Sequence, residues 1–286
     1  MTRVLPPRHL GASRFALLSG LLAVATVLAG CDSVGSLGAS NRGVAEVQQP
    51  TADTSTNIAS LTDVIRRNPS DAEAFNTRGT AYARVGKYTE AVADFSKSIQ
   101  LNGNNAAAYT NRALAERQQH RDDLALADFD QAIQSNPNHA PAYLGRGNLL
   151  RAQGKYEPAM ADLDQAIKLK PEDPQPFHAR GLIHQRENQQ DLAIRDFDNA
   201  IDRDPFAGAP YLARGQSLLQ TGKTDSAIED FNAALNVNSK NAEAWASLGS
   251  AYEKNGNGPK ARESYQRAKV IDPQNNTARD GLSRLG

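Results

Sequence analysis

Residues 140–173, APAYLGRGNLLRAQGKYEPAMADLDQAIKLKPED, form a 34-residue unit that recurs as close copies on both sides. An uninterrupted period of this length indicates a repeat array, in which each unit packs mainly on its neighbours. The chain is therefore expected to fold as one solenoid and not as separate globular domains. The six copies occupy residues 72–105, 106–139, 140–173, 174–207, 208–241 and 242–275, with no residue inserted between them.

Several positions of the unit keep their chemical character. Position 8 is glycine except for Ala113 in the second copy, position 20 is always alanine, and position 32 is proline in four copies. Positions 4 and 24 carry large apolar or aromatic side chains, and this spacing resembles the tetratricopeptide repeat (TPR) family. The residues at position 4 are Phe75, Tyr109, Tyr143, Phe177, Tyr211 and Trp245. Those at position 24 are Phe95, Phe129, Leu163, Phe197, Phe231 and Tyr265.

The resemblance implies an all-α fold: a right-handed α-solenoid of six TPR helix-turn-helix repeats with N- and C-terminal capping helices. In each repeat, helix A is expected over about positions 2–14 and helix B over about positions 18–30, with a turn at positions 15 and 16. Residues 57–71 match the second half of a repeat and are predicted as an N-terminal capping half-repeat, with Ser55 or Thr56 as the N-cap. Residues 276–286 are predicted as a polar C-terminal capping helix.

The N-terminus has the features of a lipoprotein signal. Residues 1–30 combine a basic start with an apolar run at residues 15–29, which is typical of a secretory signal peptide. The run ends in Leu28-Ala29-Gly30-Cys31, which resembles the bacterial lipobox and implies cleavage before Cys31 and lipidation of its thiol. An ordinary secreted protein with a chance cysteine is the alternative. Cys31 is the only cysteine, which excludes an internal disulfide.

The segment after the cleavage site is predicted as a membrane tether. Residues 31–56 comprise the lipidated cysteine and a flexible stretch rich in Gly, Ser, Ala, Thr and Gln. Asp32 resembles the signal that keeps lipoproteins in the inner membrane of enteric bacteria; where that rule does not apply, the outer membrane is the alternative. The predicted location is the bacterial cell envelope, lipid-anchored to the inner or outer membrane and facing the periplasm.

A second pattern concerns charge inside the repeat. Position 7 is arginine and position 23 is aspartate in repeats one to five, and both change together in repeat six, to Leu248 and Ser264. This joint change predicts that each arginine pairs with the aspartate of its own repeat across the A/B hairpin. A row of arginines displayed for an acidic ligand is the alternative. The predicted pairs are Arg78–Asp94, Arg112–Asp128, Arg146–Asp162, Arg180–Asp196 and Arg214–Asp230.

In TPR proteins the A helices line a concave groove, and the resemblance implies that positions 2, 5, 9, 12 and 13 face it. The expected surface mixes leucines with arginines and would suit an extended peptide or an amphipathic helix with acidic residues. The alternative is that these side chains only solvate long helices. The Lys and Asn groups of the chaperone-tail carboxylate clamp are absent. The predicted groove residues are Asn76, Thr80, Arg84, Thr110, Leu114, Arg117, Leu144, Asn148, Arg151, His178, Leu182, Gln185, Arg186, Leu212, Gln216 and Leu219.

No pattern in the sequence indicates an enzyme. Gly222-Lys223-Thr224 resembles the end of a phosphate-binding loop, but Ser217 stands where that loop requires glycine. His178 and His184 are six residues apart on one helix, so they do not share a face as metal ligands would. The 32 basic and 32 acidic residues balance, which argues against nucleic-acid binding. We expect no catalysis, cofactor, metal or nucleic-acid partner.

These features together predict a membrane-anchored periplasmic scaffold or adapter that binds peptides or helices of other proteins in its concave groove. Recruitment of cell-wall hydrolases or their regulators is the favoured setting. A pilotin for pilus or secretion assembly, or an outer-membrane assembly factor, is the alternative. An envelope enzyme is the least favoured interpretation.

Overall fold

The computed structural model describes residues 52–286. The predicted signal peptide at residues 1–30, the lipidation site Cys31 and residues 32–51 of the predicted tether lie outside the described residues. Within residues 52–286, no helix has the length and apolar character needed to cross a membrane.

Fourteen α-helices and no strand occupy the described part of the chain, and every repeat contributes one helix A and one helix B. The predicted all-α solenoid with a helix at each end is confirmed. The end helices are α1 (Ala52–Arg67) and α14 (Asn276–Leu285). The A helices are α2 (Ala72–Arg84), α4 (Ala106–Gln118), α6 (Ala140–Ala152), α8 (Pro174–Arg186), α10 (Gly208–Gln220) and α12 (Ala242–Lys254). The B helices are α3 (Tyr88–Leu101), α5 (Asp122–Ser135), α7 (Tyr156–Leu169), α9 (Gln190–Arg203), α11 (Thr224–Val237) and α13 (Gly258–Ile271).

The N-terminal boundary of α1 is a correction to the prediction. The helix starts at Ala52 and not near Asn57, so Ser55 and Thr56 lie inside it and neither is its N-cap. Residues 52–56 contain neither glycine nor proline, and the nearest helix breaker before them is Pro50. The helix can therefore extend back almost to that proline.

Both end helices cover apolar surface that a terminal repeat would otherwise expose. At the start of the array, Ile65 of α1 packs on Ala74 and Phe75 of the first repeat. At the other end, Leu282 and Leu285 of α14 pack against the cluster around the buried ring of Tyr265 on α13.

Helices A and B of one repeat approach closely where position 8 faces position 24. A Cβ atom added at Gly79 would lie 2.7 Å from the ring of Phe95, and one added at Gly215 would lie 2.7 Å from the ring of Phe231. These rings are almost completely buried. Glycine at position 8 is therefore required by the distance between the two helices, since a larger residue would displace the ring at the core of the hairpin.

The second repeat solves the same packing problem differently. Ala113 occupies position 8 there, and the ring of Phe129 crowds Gly145, at position 6 of the next repeat. The one departure from glycine at position 8 is thus matched by a glycine on the following A helix.

The A helices form a continuous layer. Each A helix contacts the next A helix in addition to the B helices on either side, whereas no two B helices of the described chain contact each other. Because the A layer is more closely spaced than the B layer, the array curves with the A helices on its concave side. The structure thus supplies a physical reason for the groove that sequence resemblance implied.

The turn between helices A and B places position 15 in the left-handed region of backbone conformation. Four repeats meet this need with glycine, at φ values between 72° and 81°. His120 (φ 58°) and Asn188 (φ 62°) adopt the same conformation with a side chain. A side chain at positive φ costs free energy that glycine does not.

We expect the substitution His120→Gly to raise the free energy of unfolding by about 1 kcal/mol, because it removes the strain of a side chain at positive φ. The reciprocal change Gly154→His is expected to lower it by about the same amount. A Cβ atom at Gly154 would meet nothing within 4 Å, so the effect isolates backbone strain from packing. Urea denaturation followed by circular dichroism measures both variants. Equal stability of the native and Gly154→His proteins would contradict this account.

Candidate binding groove

The concave side of the A layer carries most of the predicted groove residues at its surface. Asn76 and Thr110 are exceptions: their exposed fractions are only 6% and 3%, so the prediction that they face a ligand is wrong. Asn76 accepts a hydrogen bond from Nδ2 of Asn111 on the next A helix, at 3.0 Å. The hydroxyl of Thr110 donates to the carbonyl oxygen of Ala106, at 2.9 Å. Small polar residues at position 5 thus lie beneath the contact between neighbouring A helices.

The other predicted groove residues retain solvent exposure. Leu114 is the most exposed of the groove leucines, at 40%, while Leu144, Leu182, Leu212 and Leu219 are half-buried. The exposed or half-buried groove residues are Thr80, Arg84, Leu114, Arg117, Leu144, Asn148, Arg151, His178, Leu182, Gln185, Arg186, Leu212, Gln216 and Leu219.

Polar groups in the later part of the groove have hydrogen-bond partners within the protein. Nε2 of Gln185 donates to the carbonyl oxygen of Ala213 and to Oγ of Ser217 on the next A helix, at 3.1 Å each. Nε2 of Gln216 donates to Oε1 of Glu243, at 3.0 Å. These amides therefore hold neighbouring repeats together.

Arg117 on α4 and Arg151 on α6 differ from those amides. Both occupy position 12 of their repeats, both are half-buried, and neither guanidinium group forms a hydrogen bond or ion pair with another described residue. Nε of Arg151 is buried without a hydrogen-bond partner. Two adjacent repeats thus carry desolvated arginines without partners at the same point of the groove.

The electrostatics of this pair follow from burial and mutual repulsion. Burial lowers the pKa of both guanidinium groups, and the nearby charge of Arg117 lowers the pKa of Arg151 further. Both arginines stay charged at neutral pH, because the guanidinium pKa is far above 7. On α8, burial lowers the pKa of His178 to about 4, with Arg151 as the second cause. The imidazole is therefore neutral at pH 7.

The position-7 arginines lie between the two helix layers. Each donates from Nε and Nη2 to both carboxylate oxygens of the aspartate in its own repeat, at 2.6–2.9 Å, as the spacing predicted. The aspartates are only 4–6% exposed. These five arginines are therefore committed to structural pairs, and the alternative of a row displayed for a ligand does not hold.

Each of these arginines also has a second hydrogen-bond partner that the sequence interpretation missed. Nη1 donates to position 25 of the preceding repeat, so that one side chain joins three helices. The acceptors are Thr62 for Arg78, Ser96 for Arg112, Asp130 for Arg146, Asp164 for Arg180 and Asp198 for Arg214. The sequence contains a signal for these contacts. A residue with a hydroxyl or carboxylate group occupies position 25 before every repeat that has arginine at position 7, whereas Asn232 occupies it before Leu248.

The described residues contain no group of three or more His, Cys, Asp or Glu side chains that could hold a metal ion.

Sequence models of known families match the repeat units. Models described as tetratricopeptide repeat match residues 72–105, 178–235 and 212–276, and a model described as TPR repeat matches residues 147–188. Together these matches cover more than half of the chain. The match at residues 72–105 has the same limits as the first 34-residue copy. The chain belongs to the tetratricopeptide repeat family. No curated protein matches this TPR chain in sequence.

Solved structures similar to this TPR array come from several settings. A chain of the APC/C hetero-tetramer Cut9–Hcn1 aligns with a TM-score of 0.73 and 21% identity over 82% of this chain and 46% of its own length, so this chain spans about half of it. PilF of Pseudomonas aeruginosa aligns with a TM-score of 0.69 and 18% identity, covering 76% of this chain and 99% of that one. YrrB, a TPR protein with an unusual peptide-binding site, aligns with a TM-score of 0.55 and 25% identity, covering 66% and 97%. At these identities, Cut9–Hcn1 and PilF show the shared fold alone.

The Arg146–Asp162 pair allows a direct test of coupling. Arg146→Leu leaves the buried Asp162 carboxylate unpaired and is expected to lower the free energy of unfolding by about 3 kcal/mol. The double variant Arg146→Leu, Asp162→Ser reproduces the residues of repeat six and is expected to lose less than the sum of the single variants, with a coupling of about 1–3 kcal/mol. Urea denaturation of the four proteins measures the cycle. Additive losses would contradict the pairing as a source of stability.

The depressed pKa of His178 predicts a pH dependence of stability. The histidine pKa is about 6.5 in an unfolded chain and about 4 in the folded protein. As the pH falls between these values, the unfolded state binds the proton first, so the free energy of unfolding decreases. The variant His178→Leu, which copies Leu144 and Leu212 at the same position of the flanking repeats, should lose less stability between pH 7 and pH 4.5. Urea denaturation at both pH values measures this. Equal losses for both proteins would contradict it.

Proposed function

We propose that this TPR protein is a scaffold that holds a segment of a partner protein against its concave A-helix surface. The observation that supports this proposal is the mixture of exposed or half-buried leucines, such as Leu114 and Leu182, with polar groups that lack partners within the protein, such as Arg151. Apolar side chains along a curved helical layer provide contact area, and the free donors orient what lies there. TPR repeats generally serve as non-catalytic scaffolds, and YrrB, which is similar in structure, has a peptide-binding site.

The proposed setting is the periplasmic side of a bacterial membrane. Its support is the sequence Leu28-Ala29-Gly30-Cys31 and the single cysteine of the chain. Two or three acyl chains at Cys31 would anchor the protein firmly, since each buried methylene contributes about 0.8 kcal/mol. The stretch at residues 32–51 would let the array stand away from the lipid headgroups. Recruitment of cell-wall hydrolases or their regulators is the role we favour for such an anchored adapter.

A role in pilus assembly is the second candidate. It is favoured by the similarity in fold to PilF of Pseudomonas aeruginosa and to PilW, a type IV pilus biogenesis factor that aligns with a TM-score of 0.67 and 18% identity. Both roles require the same anchored array with an accessible concave face, and they differ in the partner that is captured.

A photo-crosslinking experiment in intact cells tests the proposal. The crosslinking amino acid p-benzoylphenylalanine replaces Leu182 in the groove, or Ala161 on the exposed side of helix B in repeat three as a control. We expect crosslinked partner proteins from the Leu182 position and none from the Ala161 position, because the partner lies on the A layer. Identification of the crosslinked proteins by mass spectrometry separates a hydrolase-related partner from a pilus component. Crosslinks as strong from the Ala161 position, or none from either position, would overturn the groove as the binding surface.

The same cells test the anchor. Full-length protein with Cys31→Ser is expected to leave the membrane fraction after a high-salt wash, while the native protein stays. Membrane retention of the serine variant would remove the lipid anchor from the proposal and leave the scaffold function unaffected.

A further inference from the structure

We infer that Arg117 and Arg151 form a recognition site for side-chain carboxylates of an acidic, leucine-containing segment of the partner protein. This inference rests on the proposed scaffold function and specifies the chemistry that the groove selects.

The first step is a contrast within the chain. Five other half-buried arginines, one in each of repeats one to five, each have a bidentate aspartate and a further acceptor. Arg117 and Arg151 have neither, although burial makes their charge costly. Asp122, at the start of α5, is near enough to favour the charged form of Arg117, but it forms no ion pair with it. The other half-buried arginines also have acceptors within the protein: Arg203 donates to the carbonyl oxygens of Pro171 and Asn199, and Arg262 donates to those of Leu285 and Gly286.

The second step concerns position 12 in the other repeats. Repeats one and five have Ala83 and Leu219, which carry no polar group. Repeat four has Gln185, which donates to the next A helix. Repeat six has Glu253, which accepts from Arg284 of α14 at 2.9 Å. Only in repeats two and three does position 12 carry donors that the described residues leave free.

The third step is the shape of the missing partner. Arg117 and Arg151 stand at the same position of neighbouring A helices, and each guanidinium presents a planar set of donors that matches a carboxylate. Nε of Arg151 is buried without a hydrogen-bond partner in the unbound protein, which costs free energy. Two guanidinium groups beside each other also repel, and a bound anion would relieve that repulsion.

The fourth step is what surrounds the arginines. Leu114 lies on the same helix as Arg117, Leu144 on the same helix as Arg151, and all four side chains are exposed or half-buried. The neutral His178 on α8 adds a polar edge without another charge. Apolar contact beside a cationic centre favours a peptide in which acidic and apolar side chains are close together, over a bare inorganic anion.

The test uses full-length protein in detergent and a fluorescein-labelled probe peptide of four Leu-Glu units, with an amidated C-terminus. A second probe has glutamine in place of every glutamate. Fluorescence anisotropy in 50 mM and 200 mM NaCl measures the affinity for each. We expect the glutamate peptide to bind at least tenfold more tightly, since charge-assisted hydrogen bonds are stronger than neutral ones, and to weaken at the higher salt concentration.

The preference for glutamate should disappear in Arg117→Gln, Arg151→Gln and remain in Arg195→Gln, a control variant at an exposed arginine on helix B of repeat four, outside the groove. If the double variant fails to fold by circular dichroism, Arg151→Lys replaces it and should reduce the preference, since an ammonium group cannot form the two parallel hydrogen bonds. Equal affinity for the two peptides, no binding of either, or a preference retained in the double variant would overturn the inference. Displacement of the peptide by millimolar inorganic phosphate would assign the site to a small anion and also overturn it. Any of these results together with retained crosslinking from position 182 would leave the scaffold function standing.

Discussion

The close contact of helices A and B at positions 8 and 24 sets the geometry of the repeats that have glycine at position 8. A glycine on helix A lets the helices approach until an aromatic ring, such as that of Phe95, fills the space between them. Beside that contact, position 7 meets position 23 of the same hairpin, where the bidentate Arg–Asp pairs form. Repeat six keeps the hairpin without them by substituting Leu248 and Ser264.

The arrangement of charge separates structure from binding. Between the helix layers, each buried aspartate meets an arginine, and each of those arginines has all of its main donors occupied. On the concave side, the amides of Gln185 and Gln216 bond to neighbouring repeats. Against this background the free donors of Arg117 and Arg151 stand out, because leaving a buried polar group unpaired is costly. The proposed binding chemistry of the concave surface is thus concentrated in repeats two and three, although the backbone is nearly the same in all six.

Much of the fold could be predicted from the sequence, because the same residue pattern occurs six times. The period, the helix pairs and the Arg–Asp partners all depend on spacings within 34 residues. The features that sequence reasoning missed depend on contacts between repeats. The burial of Asn76 and Thr110, and the acceptors at position 25, arise where one repeat packs on the next. Whether Arg151 has a partner likewise depends on several helices together, which no single spacing reports. The early start of α1 was missed because residues 52–56 lack an apolar pattern.

The Arg–Asp pairs also affect how such an array can change in length. Each Arg–Asp pair is complete within one repeat, and the only bond of that arginine that crosses to the preceding repeat ends on a more exposed acceptor, such as Asp130 or Asp164. A gene duplication or deletion that adds or removes one whole unit would therefore leave no buried carboxylate without its arginine. Growth and shortening by complete repeats would cost this protein little electrostatic free energy. A break inside a repeat would instead leave a buried aspartate without its arginine, so the Arg–Asp pairs favour the gain or loss of complete 34-residue units.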